Sequence, residues 1–293
     1  MAISEYPSSI TLPLSEPPYP TVLTFLIQRF PDIPAHTWAE RVNAGKVLDA
    51  EGRAITPETL YVPLAKIFYF REVSDEAIIP FTEKILFHND ELLVACKPHF
   101  LPVIPGGRYV NECLLHRLRA TTGNEHLTPI HRIDRETAGI VLFSLNPKTR
   151  ALYQGLFEHG KVEKTYHAIA DYQHHASQTE WIVENRITRG EPWFRRTVTP
   201  GAVNARSNIQ RLEIKGERAR FLLHPITGKT HQLRIHMSGL GFRIINDRYY
   251  PELQPQSADD YDQPLQLLAK RISFQDPVTG EAMIFQSERE LVL

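Results

Sequence analysis

The strand-like runs of this 293-residue chain do not alternate regularly with helices. That pattern favours an α+β fold built on a mainly antiparallel mixed sheet over a doubly wound one. Lys84–Phe87 and Leu92–Cys96 are short apolar runs around the turn His88-Asn89-Asp90-Glu91, which predicts a β-hairpin. GIVLFS, Gly139–Ser144, is a continuous apolar run bounded by a turn and reads as a buried strand. Asn146-Pro147 then reads as a helix start, with Leu152, Leu156 and Phe157 as its apolar stripe and Gly160 as its stop. Thr165–Asp171, Arg218–His224, Leu265–Phe274 and Met283–Ser287 read as further strands, and 251–264 as a polar, acidic loop.

The N-terminal part is organised differently. Residues 1–20 are rich in proline and serine and predict an extended segment. Thr24–Ile27 and His36–Val42 read as two short helices. Gly45–Leu48 leads through Glu51-Gly52-Arg53 into a hairpin, and Leu60–Phe70 reads as a strand pair. Glu72–Pro80 reads as a linker. The expected division is an extended segment over 1–20, a small module over 21–75 and a larger domain over 80–293.

Net charge is −1, so any nucleic-acid affinity must come from locally focused positive charge. Two cysteines, Cys96 and Cys113, indicate neither a disulfide framework nor zinc and fit reduced thiols. The proline-broken N-terminus is no signal peptide, and no apolar run reaches the ~18–20 residues that span a bilayer. A cytoplasmic location is expected. Among 13 histidines, His231 and His236 lie five apart and so do not share a helix face as i, i+4 ligands would. His174-His175 is a lone pair in a polar turn. No metal site is expected, and there is neither a Gly-rich phosphate loop nor a serine nucleophile elbow.

Three segments carry chemistry. HRIDRETAG, His131–Gly139, sets Asp134 between Arg132 and Arg135 at the mouth of a core strand. Nearby positive charge favours the carboxylate, and strand ends are where scaffolds present reactive groups. The same residues also fit a surface ion-pair cluster. KTYHA, Lys164–Ala168, puts Tyr166, Ala168 and Ala170 on one strand face, leaving room beside the ring for something flat, or else placing an ordinary core tyrosine. LLHPITGKTHQLRIHM, Leu222–Met237, ends a strand at Pro225, turns at Thr227-Gly228 and starts a helix with Thr230 as N-cap. Leu233, Met237 and Leu240 form its core stripe, which leaves Arg234 displayed on another side, for a ligand or for solvent.

In this order the three segments resemble the RluA-type RNA pseudouridine synthases. HRIDRETAG is similar to the family's HRLD-x-x-TSG, KTYHA follows at the family's spacing, and TGKTHQLRIHM is similar to TGR-x-HQLR-x-H. ILFHNDELLVACKP, Ile85–Pro98, resembles the opening hairpin that ends in Lys-Pro. GFRIINDRYY resembles the stretch that ends in Gly-Asp-x-x-Tyr. The resemblance covers roughly residues 80–290. It implies a pseudouridine synthase fold that flips a uridine out of structured RNA, ribosomal or transfer, and isomerises it. Asp134 would open the glycosidic bond, by attack at C1′ or by taking the 2′ proton. Tyr166 would stack on the uracil and assist loss of the C5 proton. Arg234 would pair with Asp134 and hold it ionised, and Arg132 would help extrude the base. His131, Arg135, Thr137, Lys229, His231 and Gln232 would bind substrate. RNA is the implied partner, with no cofactor, metal or obligate protein partner required. The helix–helix–hairpin order of the N-terminal module resembles the αL RNA-binding module that precedes many such enzymes; a small packing domain fits it equally. The module lacks dense rows of Lys and Arg on its helices; Arg29, Arg41, Lys46 and Arg53 are what remain.

Departures from the family pattern are Ile133 for leucine, Ala138 for serine, Lys229 for arginine, Asn246 for glycine and Leu268 for histidine, which suggest a divergent subgroup. Arg186–Arg206 interleaves Arg189, Arg195 and Arg196 with Trp193 and Phe194, a pattern suited to phosphate contact plus base stacking, or to arginines covering apolar surface. Two other functions compete with the isomerase: a catalytically silent RNA-binding protein of the same fold, and a nucleoside hydrolase. The hydrolase reading lacks an evident second carboxylate.

Overall fold

The computed structural model describes residues 2–16, 19–172 and 177–293. His174-His175 lies outside the described residues. The chain divides into two compact units, residues 1–77 with 106–111, and residues 78–105 with 112–293.

The first unit comprises β1 (Ala2–Ile3), β2 (Ser8–Thr11), α1 (Val22–Arg29), α2 (Ala35–Asn43), β3 (Val47–Leu48), β4 (Lys66–Tyr69) and β5 (Glu72–Val73). Thr21 caps α1: its hydroxyl accepts the Thr24 N–H at 3.2 Å. Phe25, Leu26, Trp38 and Val42 of the helices pack with Val47, Ile55 and Ile67. Within 1–20, β2 pairs with β4 and β1 with β5. Leu60–Phe70 yields one strand, β4, where a pair was expected. Pro63 offers no N–H, and Leu64 takes a φ of 65°, so the chain turns there and leaves Leu60, Val62 and Leu64 exposed. Glu72 and Val73, expected to open a linker, form β5. Glu72 also neutralises Arg41 and Lys46, while Arg53 pairs with Asp49 and Glu51. Arg29 is exposed, with its guanidinium 5.5 Å from the Phe30 ring.

The second unit comprises β6 (Lys84–His88), β7 (Leu92–Lys97), α3 (Leu114–Thr122), β8 (Thr128–Pro129), β9 (Ala138–Ser144), α4 (Arg150–Glu158), β10 (Glu163–Asp171), β11 (Glu180–Arg189), β12 (Arg196–Thr199), β13 (Ala205–Lys215), β14 (Arg218–Pro225), α5 (Gln232–Gly239), β15 (Leu267–Gln275) and β16 (Ala282–Gln286). Among the described residues its strands form one eleven-stranded sheet, ordered β12-β11-β13-β14-β10-β15-β9-β7-β6, with β16 on β15 and β8 on β9. Every pairing is antiparallel except β9 with β15, where Ala138 faces Leu268 and Gly139 faces Ala269. This is the α+β, mainly antiparallel mixed sheet that the sequence predicts. Gly139 has φ 117°, and a Cβ there would lie 2.2 Å from the Ala269 carbonyl oxygen, so only glycine lets the two strands meet.

Helix α4 packs Tyr153 and Leu156 over Leu92, Val94, Ile140 and Leu142. Helix α5 packs Leu233 and Met237 over Ala168, Ala170, Phe221 and Leu223. Both starts differ from expectation. Asn146 accepts the Lys148 N–H in a local turn, and α4 begins only at Arg150. Thr230 does not cap α5: His231 precedes it in the left-handed region, at φ 57°. No helix among the described residues is long and apolar enough to cross a membrane.

Candidate active site

Asp134 lies in the loop that feeds β9, and its backbone carbonyl accepts the Thr137 N–H at 3.1 Å. The loop is gripped by the end of β7 and the residues just after it. The Lys97 ammonium, fully buried, donates to the carbonyls of Pro98, Leu101 and Arg135 at 2.9, 2.7 and 3.0 Å. His99 Nδ1 donates to the Glu136 carbonyl at 2.6 Å. Burial pushes the Lys97 pKa down to about 7, against the pull of the Glu136 and Asp134 carboxylates.

The cation that faces Asp134 is Arg234 on α5. Its Nη1 stands 3.5 Å from Asp134 Oδ2 and 3.5 Å from Glu136 Oε2. Sequence reasoning had this arginine displayed outside the apolar stripe; it is instead buried. Its Nε and Nη2 donate to the two Asp247 oxygens at 2.8 and 2.6 Å, a two-pronged pair that satisfies a guanidinium removed from water. Burial opposes the charge, but the Asp247 hydrogen bonds and the three surrounding carboxylates outweigh it and hold Arg234 above its ordinary range. Its guanidinium also sits 4.7 Å from the Tyr249 ring centroid. Asp247 further accepts the N–H groups of Tyr249 and Tyr250 at 2.8 and 3.1 Å. Asp134 keeps 23% of its side chain accessible while Arg234 keeps 1%, so the carboxylate alone faces outward.

Tyr166 stands at a bulge of β10, opposite Leu223 and Ala269. Ala168 and Ala170 pack in a cluster with Leu233, Met237 and Phe242, and Tyr166, only partly buried, lies against it. Burial, with the charge of Asp134 added, raises the Tyr166 phenol and keeps it protonated. His231 donates or accepts with the Tyr250 hydroxyl at 2.9 Å, and its Nε2 is 3.9 Å from Asp134 Oδ1. Its backbone is left-handed, at φ 57°, a conformation costly for a residue with a side chain. Burial lowers its imidazole pKa, against the pull of Asp134.

Other expected site residues are placed elsewhere. His131 stacks on Phe157 at 4.6 Å and accepts the Leu142 N–H at 3.2 Å; burial, then Lys164, lowers it to about 3. It serves the sheet. Arg135 does not flank Asp134 as an ion-pair partner; it pairs with Glu136 and Asp259. Gln232 is buried: its oxygen accepts from Thr227 and Lys229, and its amide donates to the Arg206 carbonyl and Ser207 hydroxyl, so it braces the turn that starts α5. Thr137 is buried, while Arg132 and Lys229 are exposed.

Sequence reasoning quoted Asp247 and Tyr250 within GFRIINDRYY but gave neither a role. It also found no second carboxylate; Glu136 is one, held between Arg135 and Arg234. Asn246 has φ 63°, a backbone conformation natural to the family's glycine and tolerated by asparagine. In the β11–β12 hairpin, Arg186 donates to Pro200, Arg195 to Pro251, and Arg196 to Trp193. Trp193 remains 66% exposed with the Arg189 guanidinium 5.8 Å from its ring, while Phe194 packs on Tyr249 at 5.3 Å.

This constellation, one outward carboxylate on a buried arginine with a protonated tyrosine close by, sits on the fold of a known class. The solved structure of human RNA Pseudouridylate Synthase Domain Containing 1 superposes with a TM-score of 0.59 at 20% identity, over 71% of this chain and 84% of that one, which shows a common fold. Residues 91–239 match the family described as RNA pseudouridylate synthase. The chain is 29% identical to the dual-specificity RNA pseudouridine synthase RluA of Haemophilus influenzae, over 70% of this chain and 93% of that one. It is 24% identical to RNA pseudouridine synthase 7 of rice over 78% of its own length, spanning 60% of that relative. The chain belongs to the RluA-type RNA pseudouridine synthase family.

Proposed function

We propose that this protein isomerises uridine to pseudouridine at specific positions of structured RNA, ribosomal or transfer. The observation that carries this reading is the Asp134 carboxylate, partly open to solvent and set 3.5 Å from a buried, charge-locked Arg234. The target base leaves its stack, because chemistry on a base in a helix needs it extruded. Exposed Arg132, on the same loop, fills the gap it leaves. Asp134 opens the N1–C1′ bond, by attack at C1′ or by removing the 2′ proton. The freed uracil turns, C5 bonds to C1′, the C5 proton is lost and N1 regains one. Tyr166 supports the flat base; a phenol kept protonated suits stacking and not removal of the C5 proton. Arg234 supplies a positive charge that needs no rearrangement during the reaction. No external water has to be activated, since the base returns to the same sugar.

Arg189 and Trp193 supply a phosphate contact and a stacking surface at the hairpin tip. In the first unit Arg41, Lys46 and Arg53 are already paired, which leaves exposed Arg29 and Lys66 for phosphate contact. Buried Cys96 and Cys113 fit a reducing compartment such as the cytoplasm. The test is a carbodiimide pseudouridine map of RNA from a strain lacking the gene, complemented by wild type or Asp134→Asn. Stops that return only with wild type support the reading. Stops restored by Asp134→Asn refute the role of Asp134, and maps identical with and without wild type refute the activity on abundant RNA.

A further inference from the structure

The acidic segment 251–264 plays no part in the reaction outlined above, yet it is fastened to the residue that follows Asp134. We propose that Asp259 is a positioning residue: its carboxylate fixes Arg135, and through Arg135 the loop that presents Asp134. The proposal rests on the pseudouridine synthase reading.

Residues 251–258 are exposed, but the Asp259 side chain is only 8% accessible. Its two oxygens accept Arg135 Nη1 and Nη2, each at 2.9 Å, a two-pronged geometry that fixes orientation as well as distance. The segment that delivers it is itself anchored. Arg248 donates to the carbonyl of Pro255 at 3.1 Å and the hydroxyl of Ser257 at 2.6 Å. Asn246 donates to the Pro264 carbonyl at 3.0 Å. Tyr261 meets Phe81 and Phe100 edge-on at 5.5 and 5.2 Å. These anchors hold a carboxylate still at a site where a free loop would let it wander.

The consequence shows in how 134–136 is held. Arg234 holds the Asp134 and Glu136 side chains, and Lys97 and His99 hold the carbonyls of Arg135 and Glu136. Asp259 holds Arg135, the strong charge that directly follows Asp134 and could otherwise turn on it. Without Asp259, Arg135 keeps Glu136 and Phe100 but loses the two-pronged partner that fixes its orientation, and it competes with substrate for the reacting carboxylate. Arg135, so engaged, is not a phosphate contact, which differs from the substrate-binding role expected of it. A displaced catalytic group lowers turnover more than affinity, with losses on the order of 10- to 100-fold for shifts near 1 Å.

The experiment measures tritium release from uridine C5 in labelled RNA purified from a strain lacking the gene. It compares wild type, Asp259→Ala, Asp259→Asn, Arg135→Ala and the Arg135→Ala/Asp259→Ala double variant, each checked for folding by circular dichroism. The expected result is kcat lower by about 10-fold or more in Asp259→Ala with KM within about 3-fold. The double variant should be no slower than the slower single one, as for two residues acting through one contact. If Asp259→Ala fails to fold, Asp259→Asn, which keeps the shape and drops the charge, is read by the same criteria. Unchanged kcat in a folded Asp259 variant overturns the proposal, and so does a rise in KM at unchanged kcat, which would make the pair an RNA contact. Absence of release by wild type removes the pseudouridine reading and this proposal together; release by wild type and variants alike removes only this one.

Discussion

Replacing Asp247 by alanine should unsettle the protein far more than its place in a loop suggests. The side chains of Asp247 and Arg234 are each 1% accessible, and they share two hydrogen bonds of 2.6 and 2.8 Å. Alanine at 247 leaves a buried guanidinium whose remaining carboxylates, Asp134 and Glu136, both stand at 3.5 Å. Removing one partner of a buried pair typically costs about 3–5 kcal/mol. The N–H groups of Tyr249 and Tyr250 lose their acceptor as well. In a unit of this size each kcal/mol moves the melting midpoint by about 2–4 °C, so the shift should fall between roughly 6 and 20 °C. Arg234 would then close on Asp134, so that turnover falls even in the folded fraction. The assay is urea and thermal unfolding by circular dichroism, paired with tritium release at a temperature where the variant is folded. Exposed Asp262→Ala is the control, with a change of less than about 0.5 kcal/mol. An Asp247→Ala protein within about 1 kcal/mol of wild type would refute the reasoning, because Arg234 would then have found compensation without Asp247.

Trp193→Ala should weaken RNA binding by about 1–3 kcal/mol, the range for one lost stacking platform, while leaving turnover at saturating RNA nearly unchanged; filter binding and steady-state kinetics check this. Lys97 gives a pH prediction. Its folded pKa is about 7 against an ordinary 10.5, so between these values unfolding takes up a proton, and raising pH from 7 towards 10.5 adds stability through this group. Lys97→Met should remove that rise and, by leaving buried carbonyls unpaired, lower stability at pH 7; urea midpoints across pH 6.5–9.5 for both proteins measure it. Gly139→Ala should destabilise by about 3 kcal/mol or more, since a Cβ at 2.2 Å from a backbone oxygen forces the strands apart; equilibrium unfolding tests it.

Much of this was legible in the residues. The period-2 and continuous apolar runs located the strands around the site, and irregular alternation indicated an α+β sheet. HRIDRETAG announced a carboxylate at the mouth of a core strand, and the order of the three motifs supplied the family. The pairing of Arg234 with Asp134 came only through the resemblance, and the partners of Arg135 and Arg234 at Asp259 and Asp247 stayed hidden. Two arginines beside Asp134 in sequence look like its partners; in space Arg135 turns to Asp259, and Arg234, a hundred positions on, takes their place. Helical periodicity put Arg234 outside the apolar stripe, open to a ligand or to solvent, because periodicity does not report that Asp247 pairs with it on that side. His131 was expected to bind substrate only because the resemblance implied it. In the structure it stacks on Phe157 and accepts the Leu142 N–H, contacts its position in sequence does not report. The start of α4 slipped because Asn146 uses its side chain in a turn, an outcome that competes closely with capping.

The sheet has a single parallel seam, β9 against β15, registered at two residue pairs. Along the ordered sheet, β7 and β6 lie on one side of that seam, and β10, β14, β13, β11 and β12 lie on the other. Each side can be assembled largely from neighbours in sequence, but the seam joins segments about 130 residues apart and must wait for them. Long-range closure of this kind is slow. Asp134 hangs a few residues from the seam, while Arg234 comes from the far side of it. A nascent or half-folded chain can therefore expose basic and aromatic groups to RNA before it owns a competent centre. Turnover then requires the seam to be closed, because Asp134 and Arg234 come from its two sides.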